Sequence, residues 1–271
     1  SMSIQRNAQS FYLTSNLQTA VVAANIPFTL TSTSALNLLM DSLYFQCGGF
    51  VNADRGTILV TALSLSGQSL MASNAGMPFS AFLPNNNYAI EGINSLSLTI
   101  ATSQVFSATI SGGMANPFTV TNPVGFAIST EPTDIVVSPN DSGGLLSYAF
   151  GMGSVAVPAG GQATLQATCL RDDVFLGRLV MDTDSNRAAI NINNEALQVI
   201  SILVNGIELL SSVTPANAPL LLSQLTPTSN DKTGLDANYR VALNSIVSIV
   251  VQNSDVVNIH NVSGGFYCKP L

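Results

Sequence analysis

The chain has very little charge, since only 8% of its 271 residues are Asp, Glu, Lys or Arg. Soluble globular domains usually carry about 25% charged residues, which help to keep neighbouring molecules apart. We therefore expect this chain to associate with copies of itself. The eight basic residues are scattered and the formal net charge is −7, so we expect no nucleic-acid binding, which requires clustered Lys and Arg.

Reactive side chains are scarce as well. The sequence has a single histidine, His260, and no tryptophan. One histidine cannot form a multi-histidine metal site, and no Gly-x-Ser-x-Gly or Cys–His signature of a nucleophile accompanies it. We interpret His260 as a hydrogen-bonded histidine in a strand. The expectation is a protein that is not an enzyme, with no catalytic residue and no cofactor.

Cysteine and tyrosine show no clustering. Three cysteines, Cys47, Cys169 and Cys268, form neither a disulfide framework nor a zinc site, and are predicted to be small buried hydrophobic residues. No apolar run reaches the roughly 18 residues of a membrane span. The tyrosines, which are predicted to pack in a core or an interface, are Tyr12, Tyr44, Tyr88, Tyr148, Tyr239 and Tyr267.

Two groups of acids resemble functional sites. Asp182, Asp184 and Asn186 match the start of a calcium-binding loop, but Arg187 and Asn193 replace the Gly and Glu that such a loop requires. We favour a β-turn with solvated carboxylates, and metal binding there stays open.

The second group is Asp172 and Asp173, which follow Arg171 and are predicted to lie at a strand end. Paired acids can hydrolyse glycosides, but the sequence does not place two of them at the required separation. Glycosylation sequons at Asn140 and Asn261 are interpreted as chance matches.

Alternating short strands dominate what is present. The clearest signal is a hairpin, in which 199–204 and 207–210 flank Asn205 and Gly206, a pair suited to a type I′ turn. Residues 36–45 also fit a helical turn by periodicity, although a strand is favoured. Two strands are predicted within 11–30, separated near 25–27, and others at 36–45, 57–65, 96–100, 105–110, 162–170, 179–181, 188–192, 241–251 and 256–267.

The middle of the chain is rich in Pro, Gly and Asn turn signals. We predict an N-terminal β-sandwich or jelly roll at 1–112, a connection at 113–153 and a C-terminal β-sandwich or jelly roll at 154–271. Short strands at 126–129 and 135–137 fit within the connection. The predicted fold class is all-β, with two jelly-roll-like β-sandwich domains and little helix.

Two stretches resemble known virion proteins. Residues 36–45, followed by a Thr/Val-rich strand, Gly67-Gln68 and an Asn/Gly/Pro-rich loop, resemble a pattern in bacteriophage virion proteins. Residues 175–180 and 197–206 resemble the sheet and hairpin of small double jelly-roll major capsid proteins of membrane-containing phages. The resemblance implies two eight-stranded jelly rolls side by side, in subunits that trimerise into pseudo-hexameric capsomers.

Two hypotheses follow. The favoured one is a bacteriophage structural protein, the major capsid protein, made in the host cytoplasm, located in the virion, and in contact with copies of itself and with other virion proteins. The alternative is a phage spike, decoration or receptor-binding module that recognises cell-surface glycans. A hydrolase on a β scaffold that uses His260 and the acids Asp172, Asp173, Asp182 and Asp184 is the least favoured hypothesis.

Overall fold

The computed structural model describes residues 9–12, 19–34, 38–45, 47–48, 52–82, 96–112, 115–121, 124–129, 148–184, 195–210, 220–225 and 235–270. In these ranges the chain consists of β-strands joined by turns and a few short 3₁₀ segments. None of the helical segments described is long and apolar enough to cross a membrane. The protein is therefore all-β, as its sequence predicts.

The strands of the first half precede residue 130. They are β1 (Gln9–Tyr12), β2 (Thr19–Val22), β3 (Phe28–Thr33), β4 (Leu38–Tyr44), β5 (Cys47–Gly48), β6 (Ile58–Leu65), β7 (Gln68–Ser69), β8 (Met77–Pro78), β9 (Leu96–Ile100), β10 (Val105–Gly112), β11 (Phe118–Thr121) and β12 (Val124–Ser129).

The strands of the second half start at residue 148. They are β13 (Tyr148–Val157), β14 (Gln162–Thr168), β15 (Val174–Thr183), β16 (Leu197–Val204), β17 (Ile207–Glu208), β18 (Leu220–Leu221), β19 (Leu235–Val241), β20 (Ile246–Asn253) and β21 (His260–Pro270).

The second half is a jelly roll, in which the chain pairs from its two ends inward. β13 pairs with β21, β14 with β20, β15 with β19, and β16 with both β17 and β18, all antiparallel. The resulting sheets have the strand orders β13-β21-β15-β19 and β14-β20-β16-β17. Two packed antiparallel sheets connected in this way form the jelly-roll sandwich.

The first half repeats the same pairing. β1 pairs with β12, β3 with β10, β4 with β9, and β6 with both β7 and β8. A short sheet of order β2-β11-β5 accompanies these strands. In the chain, β2 follows β1, β5 follows β4, and β11 precedes β12. The sheet β2-β11-β5 is therefore a continuation of the three neighbouring strands β1-β12-β4. The chain therefore contains two jelly rolls of one topology.

Turns at equivalent positions share their backbone conformation. Ser66 and Gly67 connect β6 to β7 with φ values of 47° and 83°, and Asn205 and Gly206 connect β16 to β17 with 48° and 81°. Two successive residues with positive φ match the predicted type I′ turn, which Asn-Gly adopts at little cost. The predicted hairpin is confirmed, and its counterpart at Ser66 escaped prediction.

Further details repeat between the two jelly rolls. β8 pairs with the second and third residues of β6, and β18 pairs with the second and third residues of β16. Each short strand is followed at once by a 3₁₀ segment. The turns that precede β10 and β20 have positive φ at Ser103 (71°) and Asn244 (67°). The repeat is thus structural, although no repeat is visible in the sequence.

Strand alternation builds the cores. Val247, Ile249 and Val251 of β20 are completely buried, whereas the residues between them are half-buried. Successive side chains of a strand point to opposite faces, so alternation directs one face into the sandwich. Aromatic rings fill both cores, with Phe45 and Phe79 centroids 5.9 Å apart in the first and Phe150 and Phe266 centroids 6.4 Å apart in the second.

Most of the predicted strands are present. Residues 36–45 contain a strand, β4, and not a helical turn. Predictions confirmed in addition are 57–65 (β6), 96–100 (β9), 105–110 (β10), 126–129 (β12), 162–170 (β14), 179–181 (within β15) and 199–204 (β16).

Three strand predictions were wrong in extent. The strand predicted at 241–251 begins only at Ile246, because the preceding residues form a turn. The strand predicted at 256–267 begins at His260, after an exposed loop. Residues 11–30 contain parts of three strands where two were predicted. Predicted strands at 135–137 and 188–192 lie outside the described residues.

The predicted connection at 113–153 contributes to both jelly rolls. β11 and β12 pair with strands of the first jelly roll. β13, which starts at Tyr148, pairs with the last strand of the second. The domain boundaries themselves remain a prediction, but the strand pairing extends the first jelly roll to Ser129.

Candidate functional site: the junction between the jelly rolls and its surroundings

A segment of the first jelly roll, residues 70–76 between β7 and β8, lies along the second jelly roll and is here named the bridging segment. Its Ala72 N–H donates to the Ala149 carbonyl of β13 (2.8 Å), and its Ala72 carbonyl accepts from the Leu170 N–H (2.9 Å). Asn74 N–H donates to the Thr168 carbonyl of β14 (3.2 Å). β13 and β14 are the outer strands of the two sheets, so the bridging segment satisfies backbone groups that an edge would leave exposed.

Backbone contact at the junction is close because β13 has a glycine there. A Cβ atom at Gly151 would lie 2.3 Å from the Ala75 carbonyl oxygen. The Ser73 hydroxyl donates to the Gly151 carbonyl (2.5 Å), and the Gly153 N–H donates to the Gly76 carbonyl (2.9 Å). Only a residue without a side chain permits this approach.

Side chains secure the bridging segment at both ends. The Arg171 guanidinium lies 3.7 Å from the Tyr148 ring centroid and donates to the Ser69 carbonyl, just before the segment. The buried Tyr267 hydroxyl donates to the carbonyl of Ala81 (2.5 Å), which lies beyond the segment in the 3₁₀ turn after β8. Burial raises the pKa of Tyr267. The two jelly rolls are therefore joined by polar contacts as well as by packing.

An ion pair joins the jelly rolls near the far end of β15. Arg55 Nε of the first jelly roll lies 3.1 Å from Asp182 Oδ2 of the second, and the Asp182 side chain is fully buried. Asp182 Oδ1 also accepts the Thr183 N–H (2.9 Å). The predicted turn with solvated carboxylates is therefore wrong for Asp182, which ends up in a strand and inside the junction.

Next to this ion pair is a polar cluster around His260. Asp184 accepts from the Asn261 backbone N–H (3.0 Å) and side-chain amide (2.8 Å). The His260 ring lies between two acids, with Nε2 3.1 Å from Asp255 Oδ2 and Nδ1 3.9 Å from Asp184 Oδ1. The prediction of a hydrogen-bonded strand histidine is confirmed, at the first residue of β21.

Sequence reasoning missed Asp255, the acid that organises this cluster. Its Oδ1 accepts from the Val257 N–H (2.8 Å) and the Asn258 N–H (3.1 Å), and its Oδ2 accepts from the Asn258 side chain (3.0 Å). An aspartate that bonds backbone two and three residues ahead forms an Asx turn. The short spacing Asp255-x-x-Asn258 was the available signal.

We predict that Asp255 makes the stability of the folded protein depend on pH in the acid range. Hydrogen bonds from the Asn258 side chain, the Val257 N–H and His260 hold its pKa well below the usual range. A depressed pKa means that Asp255 stabilises the folded state above its unfolded pKa of about 3.9, and that this contribution disappears as the pH falls through the lower folded pKa.

Urea unfolding of the wild type and of Asp255→Asn from pH 7 to pH 2 measures this effect. We expect the wild type to be more stable than the variant above about pH 4, and the margin to shrink as the pH falls below about pH 4. A margin that stayed unchanged down to pH 2 would contradict the assignment.

The acids singled out in the sequence do not converge. Asp172 and Asp173 precede β15, and Asp182 lies near its end. A ten-residue strand is about 30 Å long, whereas glycoside hydrolysis needs carboxyl groups roughly 5–9.5 Å apart. The two acid pairs therefore cannot act together on one glycosidic bond. In the part of the chain that the structure describes, no group of three or more His, Cys, Asp or Glu is placed to hold a metal ion.

The cysteines have the predicted character of small apolar residues. Cys169 and Cys268 are buried and Cys47 is half-buried, all as free thiols. Burial raises the pKa of each, to about 11 for Cys47. At neutral pH these thiols stay protonated, which makes them poor nucleophiles and metal ligands.

The remaining candidate residues, the tyrosines and the two sequon asparagines, either pack or form hydrogen bonds within the fold or lie outside the described residues. Tyr148 and Tyr267 are buried, as predicted, and Tyr239 is half-buried. The Asn261 side chain is bonded to Asp184 within a strand. The side chains of Tyr12, Tyr44, Tyr88 and Asn140 are outside the described residues.

Comparisons with known proteins find likeness in overall shape but no relative by sequence. No protein-family model matches the sequence, and no curated protein matches it. A chain from the atomic structure of Sulfolobus Turreted Icosahedral Virus aligns with 97% of this chain and 91% of its own length, at 13% identity and a TM-score of 0.43. At this TM-score and identity the likeness carries no information about function.

Proposed function

We propose that this chain is a structural subunit of a viral shell, the major capsid protein of a bacteriophage, with no enzymatic role. It is made in the host cytoplasm and takes its place in the virion by self-association. The observation that carries the proposal is the junction, in which one jelly roll covers the sheet edges of a second jelly roll with the same topology.

The repeat makes the junction suitable for assembly. In the described part of the chain, β1 and β2, the counterparts of β13, pair on one side only. A second copy that covers this edge would do for the first jelly roll what the bridging segment does for the second. Such a contact joins unlike surfaces, so it closes into a ring when the rotation permits.

Composition supports the same proposal. With 8% charged residues, the subunits have few charges to repel one another or to be desolvated when surfaces meet. Three copies would place six jelly rolls in one ring, which agrees with the trimer that the resemblance to double jelly-roll capsid proteins implies. Other virion proteins are further proposed partners.

Absolute mass in solution tests self-association. Light scattering behind size exclusion, across a range of concentrations, is expected to give three times 28.2 kDa, and electron microscopy at high concentration larger regular particles. A monomer at every concentration would contradict the proposal. That outcome would favour the glycan-binding module, which a glycan array then tests.

A further inference from the structure

The exposed aliphatic side chains of the second jelly roll concentrate in two places. Among the described residues, nine large hydrophobic side chains are at least 41% exposed, and seven of them belong to this jelly roll. The first group, named the loop patch, contains Val256, Val257 and Ile259. The second, named the turn patch, contains Leu170, Ile207, Leu243 and Ile246. Clustered exposure of this kind marks an interaction surface, whereas isolated apolar residues do not.

The loop patch is held outward by a network of polar contacts. Val256, Val257 and Ile259 are 79%, 78% and 64% exposed, on a loop ordered by the Asp255 Asx turn. The completely buried Asn253 donates to the Asn258 carbonyl (2.8 Å). A loop fixed in this way loses little conformational entropy when it binds.

The turn patch is also built on ordered backbone. Asn244 N–H donates to the Cys169 carbonyl (2.9 Å), which joins the turns that contain Leu243 and Leu170. Asn205 N–H donates to the Ile246 carbonyl (2.9 Å), which joins the hairpin turn before Ile207 to the same site. Its four aliphatic side chains therefore lie around three connected turns.

The two patches cannot meet within one molecule. β20 begins at Ile246, in the turn patch, and ends at Asn253, just before the loop patch. Eight residues of strand span about 26 Å. The patches thus lie at opposite ends of the sandwich, and any contact between them joins two molecules.

The exposed area fits a contact between two copies. At roughly 100 Å² for a fully exposed aliphatic side chain, and with exposures between 41% and 79%, the seven residues supply about 400 Å² of apolar surface. Specific protein interfaces bury about 1,200 Å² or more in total, of which about 57% is apolar. The two patches together therefore supply more than half of the apolar part of one small specific interface, and neither patch suffices alone.

We infer that the loop patch of one copy docks on the turn patch of a second copy. The contact is heterologous, since it joins different surfaces, and it can be repeated around a rotation axis. This inference rests on the proposed self-association and names a surface that carries it, separate from the ring contact at the sheet edge.

A pair of valine substitutions tests the loop patch. Val256→Ser with Val257→Ser removes its two most exposed side chains, and Ile26→Ser, on an isoleucine that is 59% exposed in the connection between β2 and β3, is the control. We expect the double variant to shift assembly to at least tenfold higher protein concentration in light scattering, with an unchanged Tm. The control should assemble as the wild type does.

Cross-linking tests the pairing of the patches. A Val257→Cys protein is mixed with a Leu243→Cys protein and oxidised, and a covalent dimer containing one of each is expected. Each variant alone and the wild type, with its native thiols, should give no such dimer. A dimer from Val257→Cys alone would show loop-to-loop contact and overturn the inference.

The outcomes separate the two proposals. If the wild type never assembles, the proposed function fails. If the wild type assembles and the double serine variant assembles at the same concentration, the docking inference fails and the proposed function stands.

Discussion

Replacing Gly151 with alanine is expected to destabilise the protein by about 3 kcal/mol or more. The added methyl group would lie 2.3 Å from backbone atoms of Ala75 and Gly76, and backbone cannot move aside as the end of a flexible side chain can. The bridging segment must therefore withdraw from β13, which also breaks the Ser73 contact to the Gly151 carbonyl. Urea unfolding at neutral pH measures the loss.

Gly206→Ala is the matched control for this experiment. A Cβ at Gly206 meets nothing within 4 Å, but its φ of +81° strains any residue other than glycine. Its expected cost is about 1 kcal/mol. If Gly151→Ala cost no more than Gly206→Ala, the close contact between the bridging segment and β13 would be refuted.

Removing the charge of Asp182 is expected to cost about 3 kcal/mol. Asp182→Asn preserves the shape of the side chain but leaves the Arg55 guanidinium, only 15% exposed, without its carboxylate partner. Breaking a buried ion pair from one side leaves a desolvated charge, which costs about 3–5 kcal/mol. Because the two partners belong to different jelly rolls, the loss should appear in the main unfolding transition.

Two further variants test whether Arg55 and Asp182 stabilise the protein as an ion pair. Arg55→Met combined with Asp182→Leu removes both charges and should recover most of the stability, since apolar replacements of buried ion pairs are often neutral. Asp173→Asn disrupts the exposed pair with Arg240 and should have little effect, as surface ion pairs generally do. Equal losses for Asp173→Asn and Asp182→Asn would refute the role assigned to the buried pair.

Local features of the fold were predictable from the sequence. The Asn205-Gly206 hairpin was predictable because the turn conformation depends on those two residues and the flanking strands are adjacent. The strand start at Ile246 was not predicted, because Val241, which ends β19, was assigned to the same strand across the turn at Asn244. A run of strand-forming residues does not show where the backbone reverses.

The junction was much less predictable. Residues 74–76 have the composition of a loop, and they lie at a sheet edge only because the second jelly roll presents β13, more than 70 residues away, beside them. Asp182 was assigned to a solvated turn from its neighbours, but its partner Arg55 is 127 residues distant. No local pattern encodes either contact.

By itself, the sequence determined the fold class, because low charge, β-branched residues and regularly spaced turn signals allow little except antiparallel sheets. It also determined the scarcity of reactive groups. Only the tertiary structure decided that both halves are the same jelly roll, that the first covers the sheet edges of the second, and that Asp182 is buried. These features depend on contacts between residues far apart in the chain, which form only when whole sheets pack together.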